Sequence, residues 1–142
     1  MSIARLIEGK QGQIITIDAD APVREALALL AGKRIGALPV MRQDRIVGIF
    51  SERDMIYQLQ GNGPALLDQP VADVMTSPAV TVGPDADVLA ALALMTRRRV
   101  RHLPVVVGET MIGFISIGDL VKFRIDRIEA EAEAMRNYIQ MA

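Results

Sequence analysis

The sequence predicts an α+β fold in which two β-α-β-β-α repeats pack around a pseudo-two-fold axis and an extended C-terminal helix follows them. A duplication carries most of this prediction. Displaced by 65 residues, residues 14–57 align without a gap on residues 79–122, and 15 of these 44 positions are identical. The long helix is indicated by residues 119–142, which contain neither glycine nor proline.

The duplication is more than a shared apolar bias. Its identical positions include proline, glycine, serine and aspartate, residue types that repeat only when the turns and caps of two units repeat. Such matches are Leu38-Pro39-Val40 with Leu103-Pro104-Val105, Gly48 with Gly113, Ser51 with Ser116, and Asp54 with Asp119.

Composition excludes several classes of protein. Of the 142 residues, 51% are hydrophobic and 23% are charged, so the chain is long and apolar enough to bury a core. The net charge of -1 argues against nucleic-acid binding driven by bulk positive charge. There is no cysteine and only one histidine, which excludes disulfides and leaves little from which to build a metal site or a catalytic triad. We expect a cytoplasmic protein without a membrane span.

The first half of each repeat is predicted to be a strand followed by a helix. Short strands are expected at residues 14–17 and 79–82, after which Asp20 or Asp85 is expected to cap a helix. Apolar residues then recur at helical spacing along one face of each helix, at Val23, Ala26, Leu27 and Leu30 and at Val88, Ala91, Leu92 and Met95.

The second half of each repeat is predicted to be a hairpin and a second helix. The strands are expected at residues 37–41 and 46–50, and at residues 102–107 and 111–115, with helices starting after Ser51 and Ser116. We divide the chain into a first repeat (1–60), a linker (61–70), a second repeat (71–127) and a helical extension (128–142). A repeat of about 60 residues buries a core with difficulty, so we expect the two to pack as one body.

These motifs resemble a tandem pair of CBS domains, the arrangement called a Bateman module. The resemblance extends over residues 3–125. It rests on the two Leu-Pro-Val strands, on the segments 48–54 and 113–119 that follow them, and on the lead-in segment 71–76. It implies a module that binds adenine nucleotides or related adenosyl ligands, regulates a partner protein and forms disc-like dimers.

Two Ser-x-x-Asp motifs, Ser51 with Asp54 and Ser116 with Asp119, open the second helix of each repeat. One interpretation is a capping box, in which serine and the acidic residue satisfy the helix end. The other, which the resemblance favours, is that the aspartate accepts both hydroxyls of a ribose while serine and the helix N–H groups face a phosphate.

The cations expected to reach phosphates are distributed unevenly. Arg53 lies inside the first motif, where its counterpart is Gly118, whereas Arg101 and His102 precede the second Leu-Pro-Val strand. The resemblance implies that Arg101 and His102 contact nucleotide phosphates, also across the pseudo-two-fold axis, so we expect the cleft of Ser51, Arg53 and Asp54 to suit phosphates better. We interpret residues 97–99 as solvated helix-end arginines.

Thr16 and Thr81 lie in the first predicted strand of each repeat, which lines the adenine slot in this family. We therefore include both threonines among the expected nucleotide-binding residues, with Ile15, Ile17, Val80 and Val82 as walls. A β-branched residue that merely suits a strand is an equally good interpretation of each threonine.

The function predicted on this basis is regulatory binding of an adenosine-containing ligand, AMP first, then ATP or ADP, or NAD(H). No catalytic residue, metal site or obligatory cofactor is expected, and the regulated partner stays unknown. The alternatives are a structural dimerisation or adaptor module that binds no ligand, and an enzyme accessory subunit related to the regulatory domains of inosine monophosphate dehydrogenase.

The C-terminal helix carries a heptad stripe formed by Val121, Ile125, Ile128, Ala132, Met135 and Ile139. Two interpretations fit the stripe equally well. It folds over its own domain, or it is the seam of a homodimer.

Overall fold

The computed structural model describes residues 2–8 and 14–141. These residues form five helices and five strands, and two short 3-10 segments, Gly63–Asp68 and Val71–Asp73, join the repeats. The helices and strands, in chain order, are α1 (Ile3–Glu8), β1 (Ile17–Asp18), α2 (Val23–Lys33), β2 (Ala37–Arg42), β3 (Arg45–Ser51), α3 (Glu52–Asn62), α4 (Val88–Arg98), β4 (His102–Val107), β5 (Thr110–Ser116) and α5 (Ile117–Met141).

The two repeats have the same sheet topology. In the first, β1 runs parallel to β2, and β2 pairs antiparallel with β3. In the second, β4 pairs antiparallel with β5, and a single parallel bridge from Val82 to Val105 stands where the first repeat has β1. Each hairpin is irregular at the same place, after Val40 and after Val105. The predicted α+β fold of two β-α-β-β-α repeats with an extended C-terminal helix is confirmed.

The first strand of each repeat is shorter than predicted. Residues 14–17 yield only the two-residue strand β1, and residues 79–82 yield the single bridge at Val82. The preceding residues leave the sheet and line cavities, among them Ile14 and Ile15 in one repeat and Ala79 and Val80 in the other.

The predicted caps of α2 and α4 are wrong. The N-cap of α2 is Pro22 and that of α4 is Asp87, and neither makes a side-chain capping hydrogen bond. Asp20 instead accepts from Arg42 Nη1 at 3.2 Å. Because each helix begins three residues after the expected aspartate, its free N–H groups lie beyond the reach of that side chain.

The buried residues form two clusters, each completed by a segment from outside its own repeat. The first cluster contains the α2 face, β2 and β3, and it is closed by Leu66 from the linker and by Val71 and Val74 from the lead-in segment of the second repeat. The second contains α4, β4, β5 and Leu120, and it is closed by Ile3 and Leu6 from α1. Backbone hydrogen bonds hold the exchanged segments, such as the 2.8 Å bond from Ile3 N to Ala86 O. The repeats thus form one body by exchanging their lead-in segments.

The exchanged segments cross the hairpins at glycines. A Cβ atom on Gly48 would lie 2.7 Å from the backbone oxygen of Thr76 and 2.6 Å from Met75 Sδ. On Gly113 it would lie 2.8 Å from a side-chain methyl of Ile7. Gly48 therefore lets Thr76 pair with Ile49 through two 2.9 Å hydrogen bonds. The predicted linker is mostly ordered, because α3 reaches Asn62 and a 3-10 segment follows.

Candidate functional site

Both Ser-x-x-Asp motifs form the predicted capping boxes. Strand β3 ends at Ser51, whose backbone N donates to Asp54 Oδ2 at 2.9 Å while Asp54 N donates to Ser51 Oγ at 3.2 Å. In the second repeat, Ser116 N donates to Asp119 Oδ2 at 2.8 Å and Asp119 N donates to Ser116 Oγ at 3.1 Å. These bonds fix each carboxylate at a helix N-terminus, where backbone N–H groups and the helix dipole favour negative charge.

Thr76, from the lead-in segment 71–76, contacts the Asp54 carboxylate. Its hydroxyl donates to Asp54 Oδ1 at 2.8 Å, so both carboxylate oxygens of Asp54 already accept hydrogen bonds. A ribose hydroxyl bound there must displace or share this donor. Thr76 was not among the predicted site residues, although the lead-in motif that carries it was recognised in the sequence.

The first cavity, the Asp54 cleft, has a volume of about 230 Å³. It brings together the predicted residues Ser51, Arg53, Asp54, Arg101 and His102, which come from both repeats. Arg99 also lines it, as does the acidic residue Glu52. Three arginines and one histidine thus face two carboxylates across a small volume.

The second cavity, the Asp119 cleft, has a volume of about 780 Å³. Its predicted residues are Ser116, Asp119 and His102, and its cation is Arg34. Aliphatic and aromatic side chains make up much of the remaining wall, namely Ile7, Ile14, Ile15, Ile35, Ile112 and Phe114. Small-molecule pockets commonly enclose roughly 300–1,000 Å³, and only the Asp119 cleft of these two lies in that range.

The two clefts share a wall made of Gly36 and His102. The imidazole of His102 stacks on Phe114, with ring centroids 5.5 Å apart and planes inclined by 13°. Nearby, Arg53 Nη1 donates to the backbone oxygen of Arg99 at 3.1 Å and so joins the first repeat to the second. His102 also lies against the first repeat, since a Cβ atom on Gly36 would be 3.5 Å from its Cε1. A ligand that contacts His102 or Arg53 therefore touches residues at which the two repeats meet.

Arg34 and Arg99 are further functional candidates: from the sequence, Arg34 was missed and Arg99 was interpreted only as a solvated helix-end arginine, whereas both line a cleft. They are equivalent under the 65-residue displacement. Each is the C-cap of a helix in the left-handed conformation, with φ of 54°, a conformation that glycine adopts at lower cost. Both repeats therefore have an arginine at this position, and the two arginines line different clefts. Arg34 lines the Asp119 cleft, and Arg99 lines the Asp54 cleft. Their identity in the repeat alignment was the available signal.

The two threonines are not brought to these clefts. Thr16 is exposed and lines a third cavity, beside Asp18 and Gln43, while exposed Thr81 lines neither this cavity nor the two clefts. Of the predicted walls, Ile15 and Val80 do line the clefts, whereas Ile17 is buried in the first core cluster.

A search of the described residues for metal-binding clusters found no group of three or more histidine or carboxylate side chains suitably placed. Over the same ranges, none of the helices combines the length and hydropathy that a bilayer crossing requires.

Comparison with known proteins assigns the family. The sequence matches the CBS domain twice, at residues 11–61 and 71–126. The chain belongs to the CBS-domain family. It is 34% identical over 134 residues to the mitochondrial CBS domain-containing protein CBSX3 of Arabidopsis thaliana, covering 91% of this chain and 65% of the length of that protein.

Solved CBS structures superpose on the fold. The CBS-domain protein ATU1752 from Agrobacterium tumefaciens matches with a TM-score of 0.83 and 34% identity, covering 87% of this chain and 99% of that one. CBSX2, solved in complex with AMP, matches with a TM-score of 0.69 and 26% identity, covering 80% of this chain and 88% of that one. The hexameric CBS-CP12 protein of bloom-forming cyanobacteria matches with a TM-score of 0.73 and 28% identity, covering 96% of this chain and 81% of that one.

Inosine-5'-monophosphate dehydrogenases are also related, but only over a small part of their length. The enzyme of Methanocaldococcus jannaschii is 36% identical over 115 residues, which cover 78% of this chain and 22% of the enzyme. The similarity to these enzymes therefore concerns their CBS region.

Proposed function

We propose that this CBS pair is a regulatory module that binds an adenine nucleotide, AMP first, in the Asp119 cleft. The observation that carries the proposal is the Asp119 carboxylate, held at a helix N-terminus on the wall of a cavity of about 780 Å³. The AMP complex of the similar protein CBSX2 supports the choice of ligand.

The walls of the Asp119 cleft suit the parts of a nucleotide. Ile15, Ile35 and Ile112 offer apolar surface against which a purine face packs. Asp119 accepts the two ribose hydroxyls, and Ser116 lies beside it. Arg34 and His102 supply the positive charge for a phosphate, because a guanidinium donates two parallel hydrogen bonds to phosphate oxygens.

The Asp54 cleft is the second candidate position. Three arginines that line it support phosphate binding there, namely Arg53 and Arg101, which were predicted from the sequence, and Arg99, which was not. Its smaller volume, about 230 Å³ against about 780 Å³, supports entry of the nucleoside into the Asp119 cleft first. Phosphates that reach past His102 then enter the Asp54 cleft, since the two clefts share that side chain.

Regulation follows if the ligand prefers one packing of the two repeats. Arg53 is bonded to Arg99 and His102 lies against Gly36, so ligand contacts with Arg53 and His102 act on residues through which the repeats meet. Only the difference in affinity between the packings shifts their populations. The partner that responds is a separate, unidentified protein, and a cytoplasmic location stays a prediction because the Arabidopsis relative is described as mitochondrial.

Isothermal titration with a matched set of ligands tests the proposal. AMP, ATP, NADH and S-adenosylmethionine share adenosine, while GMP tests the base and adenosine tests the phosphate. We expect AMP to bind and GMP to bind at least about tenfold more weakly. Adenosine should bind more weakly than AMP, because it lacks the phosphate that accepts charge-assisted hydrogen bonds. The absence of binding for every adenine compound would contradict the proposal.

The alternative is a structural adaptor without ligand, and the saturated Asp54 carboxylate favours it. Both motifs are complete capping boxes, which explains their serine and aspartate without a nucleotide. An adaptor would leave the thermal midpoint unchanged at millimolar AMP, whereas a ligand that binds the native state raises it.

A further inference from the structure

The second half of α5 leaves an apolar stripe uncovered. Helix α5 spans 25 residues, of which only Leu120 is buried, and Phe123 packs partly against the second core cluster. The stripe remains open to solvent, with exposed fractions of 42% at Val121, 49% at Ile125, 48% at Ile128, 59% at Met135 and 65% at Ile139. The interpretation that the stripe folds over its own domain is therefore wrong.

The stripe has the register of a two-stranded coiled coil. Steps of four and three residues place Val121, Ile128 and Met135 at d positions and Ile125, Ala132 and Ile139 at a positions. In this register the residues packed on the domain, Leu120 and Phe123, fall at c and f. Those positions lie on the outside of a two-stranded coil, so the folded domain leaves the seam free for a second helix.

The charges that flank the seam specify the orientation of that second helix. In a parallel, in-register pair, each g position faces the e position of the next heptad in the other copy. Arg124 then faces Glu129 of the second copy, and Glu131 faces Arg136. Both contacts pair opposite charges, and symmetry makes four of them.

An antiparallel pair fits less well. With the whole stripe overlapped, Glu129 faces Glu129 of the second copy, Glu131 faces Glu131, and Lys122 faces Arg136, so like charges meet. Registers shifted by one heptad pair opposite charges, but they leave one end of the stripe uncovered.

We propose that residues 121–139 form a parallel, in-register coiled coil with a second copy of this chain. The seam is about 28 Å long at 1.5 Å per residue. Its interhelical ion pairs compete with two pairs inside each helix, Arg127 with Glu131 at 3.3 Å and Glu133 with Arg136 at 2.7 Å. These internal pairs are solvent-exposed, so exchanging them for interhelical pairs costs little.

Reciprocal charge reversal tests the pairing by sedimentation of the full chain. Glu131→Arg alone places the new arginine against Arg136 of the second copy, and Arg136→Glu alone places two glutamates there. We expect each variant to dimerise at least about tenfold more weakly than the parent chain, and an equimolar mixture to restore the dimer, because opposite charges then meet again.

The controls remove the same internal pairs without touching the interhelical ones. Arg127→Glu breaks the pair with Glu131 from a c position, and Glu133→Arg breaks the pair with Arg136 from a b position. Both should dimerise like the parent. A monomeric parent, or a dimer that Arg136→Glu strengthens as the antiparallel overlap predicts, would overturn the proposal.

Cross-linking gives an independent test because the chain contains no cysteine. In the parallel register, Ala132→Cys places two thiols in the same a layer, and mild oxidation should link the dimer covalently. Asn137→Cys, at the outward f position, should stay unlinked. A dimer whose Ala132→Cys variant does not cross-link contradicts the in-register arrangement.

Discussion

At the scale of single residues, Arg34 and Arg99 show how stability and binding compete. Each adopts a left-handed conformation at a helix C-cap, where a non-glycine residue costs about 1 kcal/mol. Each also brings a guanidinium to a cleft that contains a helix-terminal aspartate. The proposed phosphate contact explains why an unfavourable residue type occupies the position in both repeats.

Arg34→Gly should therefore separate the two properties. We expect the free energy of unfolding to rise by about 1 kcal/mol, since glycine relieves the strain. We expect AMP to bind roughly tenfold more weakly, since a charged hydrogen-bond donor is lost. Urea unfolding and calorimetric titration measure the two effects.

Lys33→Gly is the matched control, because it removes a neighbouring positive charge from the last residue of α2. This variant should lose up to about 1 kcal/mol of stability and keep its affinity for AMP. If Arg34→Gly binds AMP as the parent does, the guanidinium has no part in phosphate recognition.

At the scale of elements, the crossing of a lead-in segment over a hairpin depends on Gly48. Gly48→Ala should lower the free energy of unfolding by about 1–3 kcal/mol, because the new Cβ meets the backbone oxygen of Thr76. That oxygen cannot easily move, since two hydrogen bonds join Thr76 to Ile49. Gly32→Ala in α2 has open space around the new methyl group and should gain about 1 kcal/mol from helix propensity. Thermal unfolding of both variants checks the contrast, and equal shifts would contradict it.

Periodicity and turn chemistry predicted the hairpins, the start of both second helices and the apolar face of α2 and α4. They failed at the first strands and at the caps of α2 and α4. Pro22 and Asp87 displaced the helix starts, and the residues preceding β1 turn away from the sheet toward the clefts. Such departures depend on tertiary contacts that a local pattern does not contain.

The candidate site was only partly predictable for the same reason. Ser51, Asp54, Ser116 and Asp119 follow strand ends and carry a local motif, so the sequence located them. Thr76 and Arg34 reach the clefts through the exchange of lead-in segments and through a helix C-cap. Their positions therefore needed the folded chain.

At the scale of the whole molecule, the exchange of lead-in segments makes each repeat depend on the other. Ile3→Ala removes a fully buried side chain from the second cluster, and Val71→Ala removes one from the first. We expect the free energy of unfolding to fall by about 2–5 kcal/mol in Ile3→Ala and by less in Val71→Ala, because valine is smaller.

Amide hydrogen exchange should show the larger loss of protection in the repeat whose core cluster contains the substituted residue. Protection should fall first in β4 and β5 for Ile3→Ala, and in β2 and β3 for Val71→Ala. Equal loss of protection in both repeats for both variants would show that the two clusters unfold only together.

The most direct test of the proposed function is calorimetric titration of AMP into the parent chain, Asp119→Asn and Asp54→Asn. The two substitutions alter equivalent capping boxes, and Asp54→Asn also alters the acceptor of the Thr76 hydroxyl, so it is the more demanding control for folding. We predict that the parent binds AMP, that Asp119→Asn weakens binding by about 10- to 100-fold through the lost ribose contact, and that Asp54→Asn retains binding. Equal AMP affinity in the parent and Asp119→Asn, or no binding to the parent, would contradict the proposal.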